Sequence, residues 1–166
     1  MKKSLYIFVL AVLCFDNISA QPHALEIRNY INADSLIKFS KKQLGVNYNY
    51  ANCTPESGFD CSGFVYYVFD HFHTKVPRSS SEYTNFGKVV PKDSAKIGDI
   101  IVFTGTDAKR RKPGHVGIII SKPGEDLLFI HSSSDKRNSG IKISNYNATP
   151  NYQKRFLKIV RVAVVN

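Results

Sequence analysis

The 166 residues allow one domain with a sizeable core and leave too little chain for two. A formal net charge of +10 suits an anionic polymer or surface. Nucleic acid matches that charge equally well, but no nucleic-acid-binding motif accompanies it, so none is expected as a partner.

At the N-terminus, Lys2 and Lys3 precede an apolar run from Leu5 to Phe15 that is too short to span a bilayer with ease. Ile18-Ser19-Ala20 is an acceptable cleavage site. Residues 1–20 read as a secretory signal peptide and 21–166 as the mature domain. The expected product is exported (periplasmic, cell-envelope or extracellular), monomeric, and without stable membrane insertion after cleavage. An uncleaved anchor or a lipid on Cys14 are the alternatives; Leu13 stands where a lipoprotein signal has a small residue. Cleavage removes Lys2, Lys3 and Asp16, which lowers the net charge by one, and leaves Cys53 and Cys61. Two cysteines in an exported chain invite a disulfide. Such a bond would consume a nucleophile, so Cys61 is expected to be free and Cys53 a bystander.

Gln21 to Ile31 carries few organising signals. Asn32 or Asp34 caps a helix through Leu36, Ile37, Phe39, Ser40 and Leu44, stopped at Gly45. Val46 to Phe59 is a loop rich in Asn, Tyr, Pro and Gly. Asp60 is a favoured N-cap, and Phe64, Val65, Val68, Phe69 and Phe72 share one helical face, so a second helix begins at Cys61. A thiol in the first turn sees unpaired N–H groups and the positive end of the helix dipole, both of which favour the thiolate. His71 and His73 close that helix, where they interact favourably with its C-terminus. Ser79-Ser80-Ser81-Glu82 has capping-box spacing and starts a short helix to Phe86, stopped at Gly87. Val89 to Ala95 reads as a connection.

Beyond Asp99 the pattern changes to strands: Ile100–Phe103, His115–Ile120, Leu127–Ser132, Ile141–Ser144 and Phe156–Val165. Helices first and strands afterwards give an α+β domain, with N-terminal helices packed on an antiparallel sheet. No internal repeat or linker divides it. The polar connection Thr104 to Pro113 holds the run Lys109-Arg110-Arg111-Lys112, either simply solvated or helping to hold an anionic glycan or peptide.

His115 and His131 lie on two strands joined by a turn containing Pro123-Gly124. If the turn centres on Pro123, the two face each other across the ladder with Cβ atoms about 5 Å apart. A slip of one residue would send them to opposite faces. In that arrangement His115 takes the proton of Cys61, and His131 accepts the far N–H of His115 and aims its ring. Backbone N–H groups at the start of the Cys61 helix hold the developing oxyanion. The same three residues with an open position make a possible zinc site, but no CxxC or HExxH cluster accompanies them.

Phe59-Asp60-Cys61-Ser62-Gly63-Phe64, Pro77-Arg78-Ser79, Ile97-Gly98-Asp99-Ile100-Ile101-Val102-Phe103, Gly114-His115-Val116-Gly117-Ile118 and Phe129-Ile130-His131-Ser132-Ser133 stand in order from about Leu36 to the end of the chain. Together they resemble the NlpC/P60 family of cell-wall cysteine peptidases. The resemblance implies a papain-like α+β fold and hydrolysis of peptidoglycan stem peptides, at the bond between γ-D-glutamate and a diamino acid such as meso-diaminopimelate or lysine, without cofactor or metal. It implies Cys61 as nucleophile, His115 as base and His131 as orienter. It also implies substrate contacts from Tyr48 and Asp60 near the stem's N-terminal amine, and from Arg78 and Ser79 along the cleft. Ala51 and Asn52 depart from the family pattern, standing where the loop usually has paired glycines. A wall-binding module without catalysis, or a thiol acyltransferase or lipid hydrolase of the same superfamily, are the alternatives; intact Cys61, His115 and His131, with cysteine first in the chain, count against both.

Overall fold

The computed structural model describes residues 30–166. The leader read over 1–20, Cys14 and the stretch to residue 29 lie outside the described residues. Tyr30–Ile31 (β1) pairs in parallel with Val164–Val165 (β10), a two-residue contact too short to leave a pattern in the sequence.

The first helix, α1, spans Ala33–Lys41, and the Asn32 side chain accepts the Ser35 N–H at 2.9 Å. Leu36 and Ser40 are buried on its inner face. It stops before Leu44, contrary to expectation, and Leu44 is 45% exposed. The chain turns there because the next backbone groups pair elsewhere: Gly45 N–H with Ile141 O at 3.0 Å, and Ile141 N–H with Val46 O at 2.9 Å.

A two-stranded ribbon, Cys53–Thr54 (β2) and Gly58–Phe59 (β3), leads into helix α2, Cys61–His71. Asp60 caps it, its Oδ1 accepting the Gly63 N–H at 2.6 Å. Phe64, Val65, Val68 and Phe69 are fully buried. Strand propensity in this run yields to burial, since each such side chain contributes about 1.5–3 kcal/mol once removed from water. Gly63 admits no side chain, because a Cβ there would lie 2.2 Å from Asn52 O. The ribbon loop therefore sits directly on the first turn of α2. At the other end, His71 stacks on the Phe39 ring with centroids 3.7 Å apart.

Glu82 accepts the Ser79 N–H at 3.0 Å and opens a 3-10 turn, Ser80–Thr84, shorter than the helix expected to Phe86. The main sheet then follows: Lys88–Val90 (β4), Ile100–Thr104 (β5), Pro113–Ile119 (β6), Leu128–Ser133 (β7), Gly140–Asn145 (β8) and Phe156–Arg161 (β9), in the order β4-β9-β5-β6-β7-β8, every pair antiparallel. The fold is α+β, with α2 packed on β6 and β7. β5 is buried at all five positions. Ile100 and Val102 join the cluster under α1 and α2, while Ile101 and Phe103 join Ile119, Phe129 and Ile159 in a second cluster. Tyr152 and Phe156 pack against that second cluster.

Two further expectations are corrected. The connection over Val89–Ala95 begins as the edge strand β4, whose Val89 is 59% exposed and so carries no buried pattern. The long final strand is interrupted after Arg161, and a helix absent from the sequence reading, α3 (Pro150–Arg155), precedes it with Pro150 in its first turn. The β6–β7 register pairs Ile118 with Ile130 and Ile119 with Phe129, which centres the hairpin on Gly124. His131 therefore stands opposite Gly117 and diagonal to His115. A Cβ on Gly117 would lie 3.1 Å from His131 Cβ and 2.8 Å from Phe129 Cδ2. The displacement is an even number of residues, so both histidines keep the same face.

Candidate active site

Tyr48, Asp60, Cys61, Arg78, Ser79 and Gly114 line one open cleft of about 400 Å3. Five of the seven residues singled out in the sequence thus converge on it. His115 and His131 are buried among Phe103, Phe129 and Tyr152. Cys61 meets β6 on either side of His115 in sequence: Gly114 lines the cleft beside it, and the Val116 N–H bonds to the sulfur.

Cys61 and Cys53 are both free thiols. Burial pushes the Cys61 thiol up and is the largest influence; Asp60 acts in the same direction. The N–H groups of Val116, Ser62 and Cys61 pull it down. The helix start favours the thiolate as expected, but burial outweighs it, so the resting group is the thiol. Among the described residues no hydrogen bond joins the sulfur to the His115 ring; catalytic contacts commonly tighten only when substrate is bound.

His115 Nε2 lies 3.0 Å from His131 Nδ1, with the rings edge to face at 88°. His131 Nε2 lies 3.0 Å from Ser144 Oγ and 3.3 Å from the Tyr152 hydroxyl. That hydroxyl also meets Ser144 and Ser133. Burial holds His115 neutral, its pKa lowered to about 3, with the positive charges of Arg155 and Lys142 adding to the effect. His131 is lowered well below its usual range by burial, then by His115 and Lys142. Arg155 is half-buried, donates from Nη2 to Thr104 O at 2.9 Å, and stands over the Tyr152 ring.

The two charged residues expected to meet substrate, Asp60 and Arg78, are paired with each other. Arg78 Nη1 and Nη2 reach Asp60 Oδ1 and Oδ2 at 2.9 and 3.0 Å. Asp60 thus caps α2 and anchors Arg78 at once, and the Arg78 fork is spent on it. Its guanidinium also touches the Cys53 sulfur. Tyr48 bridges to Phe59, and burial, followed by the charges of Cys61 and Asp60, raises its phenol, so it stands in the cleft as a donor. Ala51 also lines the cleft and adopts φ +63, a left-handed conformation that a glycine in the usual pattern would accept freely. Ser79 is exposed, its Oγ 2.9 Å from Ser81 Oγ.

Ser144, Tyr152 and Arg155 were not singled out in the sequence. Thr149-Pro150 was a legible helix start that would have placed Tyr152 on a helix, but no local signal tied it or Ser144 to His131.

Two curated relatives and one solved structure are among the proteins that resemble this chain. The Escherichia coli K12 murein DD-endopeptidase MepS/murein LD-carboxypeptidase is 35% identical over 119 residues, covering 71% of this chain and 56% of that protein. A γ-D-glutamyl-L-lysine dipeptidyl-peptidase of Bacillus cereus is 33% identical over 124 residues, 75% of this chain and 34% of that protein. The crystal structure of an NlpC/P60 family protein from Bacillus cereus superposes with a TM-score of 0.68 at 31% identity, over 78% of this chain and 40% of that one. The chain spans less than two thirds of each relative's length. The sequence itself matches the NlpC/P60 family over residues 45–161, from the turn after α1 to the end of β9, a segment that contains the cleft, the thiol and both histidines; the chain belongs to the NlpC/P60 family.

Proposed function

We propose that this chain is a thiol peptidase that hydrolyses the bond between γ-D-glutamate and a diamino acid in peptidoglycan stem peptides. The observation that carries the proposal is the hydrogen-bonded pair His115–His131 together with a cleft-lining thiol at the start of α2 that takes a hydrogen bond from Val116, the residue next to His115. The names of the two curated relatives, a murein endopeptidase and a γ-D-glutamyl-L-lysine peptidase, support the substrate.

Two proton placements satisfy the chain of hydrogen bonds, and one leaves a base free. In it His115 donates from Nε2 to His131 Nδ1, and His131 donates from Nε2 to Ser144 or Tyr152. His115 Nδ1 then carries a lone pair. As substrate enters, the Cys61 proton passes to that nitrogen and the sulfur attacks the glutamyl carbonyl. The N–H groups at the start of α2 face the oxyanion. The intermediate collapses to a thioester, and the imidazolium returns its proton to the leaving amine. Water then gives a proton to His115, attacks the thioester and releases the glutamyl carboxylate, after which the proton returns to sulfur. Starting from thiol and neutral imidazole, the charge separation arises only on attack, where the oxyanion donors offset it.

Tyr48 and the Asp60–Arg78 pair would hold the stem on the acyl side, with Ser79 at the rim. In the same reading the leader over 1–20 directs export and is cut after Ala20. Mass spectrometry of purified muropeptides tests the activity. Wild type should free a fragment that begins with the diamino acid and leave the sugar-linked half ending in glutamate, and Cys61→Ser should free none at equal folded protein; turnover by Cys61→Ser sinks the proposal. N-terminal sequencing of the exported protein tests the leader, with Gln21 expected first.

A further inference from the structure

We propose that the cleft continues past Gly114 into a cationic leaving-group subsite that selects diaminopimelate over lysine on the amine side of the scissile bond. The inference rests on the peptidase reading above. Gly114 lines two spaces: the Cys61 cleft, and an adjoining groove of about 360 Å3 that includes Arg110 and Lys112. Thr106 and Asp107 are shared in turn with a third groove, of about 350 Å3, that includes Lys109 and Lys154. Four cations therefore flank this path against the single carboxylate of Asp107. None of the four forms an ion pair among the described residues.

The loop that carries them is fastened to the fold. Arg111 donates to Phe156 O at 2.6 Å and Lys154 O at 3.4 Å. Asp107 Oδ1 accepts the Lys109 N–H at 2.9 Å. Gly114 lies so close to Gly105 that a Cβ on it would meet Gly105 N at 2.6 Å. Of the four basic residues in the run, Arg111 is thus structural, and Lys109, Arg110 and Lys112 stand exposed.

The two sides of Cys61 differ in charge. On the Tyr48 side Asp60 and Arg78 neutralise each other. On the Gly114 side four cations face one carboxylate, which leaves positive charge in excess. If the glutamyl half of the stem lies on the Tyr48 side, the diamino acid lies toward Gly114. The side-chain end of diaminopimelate bears an ammonium and a carboxylate, whereas that of lysine bears an ammonium alone. A field of like sign repels the second and tolerates the first, and several exposed charges acting together amount to roughly tenfold in selectivity. Salt should erode that preference, because these charges are open to solvent and the screening length is about 8 Å at physiological ionic strength.

The test compares L-Ala-γ-D-Glu-meso-diaminopimelate with L-Ala-γ-D-Glu-L-Lys, in low salt and in 0.5 M salt taken as roughly three times physiological strength. Wild type should favour the first by roughly tenfold in kcat/KM at low salt and by much less at high salt. Arg110→Glu/Lys112→Glu should lose the preference while turning over the lysine peptide at least as well as wild type, which also shows that the variant is folded. Equal kcat/KM for the two peptides in wild type, or an unchanged preference in the double variant, overturns the subsite. Calorimetry with Cys61→Ser reads the groove without turnover: equal affinities overturn the subsite, and a preference for diaminopimelate in binding with no hydrolysis by wild type overturns the peptidase reading alone.

Discussion

The buried histidine pair should make this fold acid-sensitive well above the pH at which carboxylates titrate. In the unfolded chain a histidine takes its proton near pH 6.5. In the fold His115 takes it only near pH 3, because burial, with Arg155 and Lys142 nearby, excludes the charge. Between those values the unfolded state binds one more proton than the folded state, so stability is complete above pH 6.5 and falls as pH drops, by about 1.4 kcal/mol per unit for one such group. From pH 7 to pH 5, His115 alone removes about 2 kcal/mol, a large part of a typical 5–15 kcal/mol. His131 is lowered too and acts in the same direction. Urea unfolding at the two pH values measures this. With a slope of about 2 kcal/mol per molar, the wild-type midpoint should drop by roughly 1 M or more. His131→Asn keeps an acceptor for His115 but removes one titrating group, so its drop should be smaller than that of wild type. An unchanged wild-type midpoint, or an equal drop in the variant, would show that the pair is not held neutral. The same lowering bears on turnover: the acid limb of kcat/KM should lie well below 6.5, cut short only where the fold itself fails.

The other predictions concern single residues. His115→Ala should abolish kcat/KM as fully as Cys61→Ser, His131→Asn or Gln should retain measurable turnover and His131→Ala much less, and His131→Ala added to His115→Ala should cost little more. Tyr152→Phe and Ser144→Ala should each lower kcat a few-fold with KM unchanged, and the pair should lower it by roughly tenfold, since each alone leaves His131 Nε2 a partner; a silent double variant would show that the tautomer of His131 is set elsewhere. Ala51→Gly should raise stability by up to about 1 kcal/mol in urea unfolding, relief of a left-handed Cβ outweighing the added freedom of the unfolded chain. Iodoacetamide should label Cys61 more slowly at neutral pH than an exposed thiol and faster as pH rises, and EDTA should leave activity intact; rapid labelling at pH 6 would place a thiolate in the resting enzyme.

Much of the scaffold was legible in the sequence because local chemistry and global packing agree. Asn32, Asp60 and the Ser79–Glu82 pair each start the element their side chains suggest. The central strands are apolar runs bounded by turn residues. What was missed is short or settled through space. β4 has only one buried residue, and the pairing of Tyr30–Ile31 with Val164–Val165 joins segments from opposite ends of the chain. The hairpin centre was misplaced by one residue, since Pro123-Gly124 marks a turn without saying which of the two is its middle. The face of both histidines survived because side chains alternate with a period of two. Convergence of Tyr48, Asp60, Cys61, Arg78 and Ser79 on one cleft was an expectation drawn from family resemblance. Pairing of Arg78 with Asp60, and of His131 with Ser144 and Tyr152, depended on tertiary distances that no spacing encodes.

Gly117 shows how a catalytic geometry can depend on an atom that is missing. No group of this residue takes part in the proposed reaction, yet its bare Cα is the space into which His131 and Phe129 pack. Even an alanine would press on both, and both are wholly enclosed. The two rings pack on each other with centroids 4.9 Å apart, so a displacement of either reaches the imidazole, and a shift of about half an ångström is enough to spoil a catalytic arrangement. In a mutational survey this position would score with the catalytic residues, and overpacking would cost the fold about 1–3 kcal/mol as well. For a designer transplanting the thiol and two imidazoles to another sheet, the vacancy opposite the second imidazole belongs on the same specification as the three side chains.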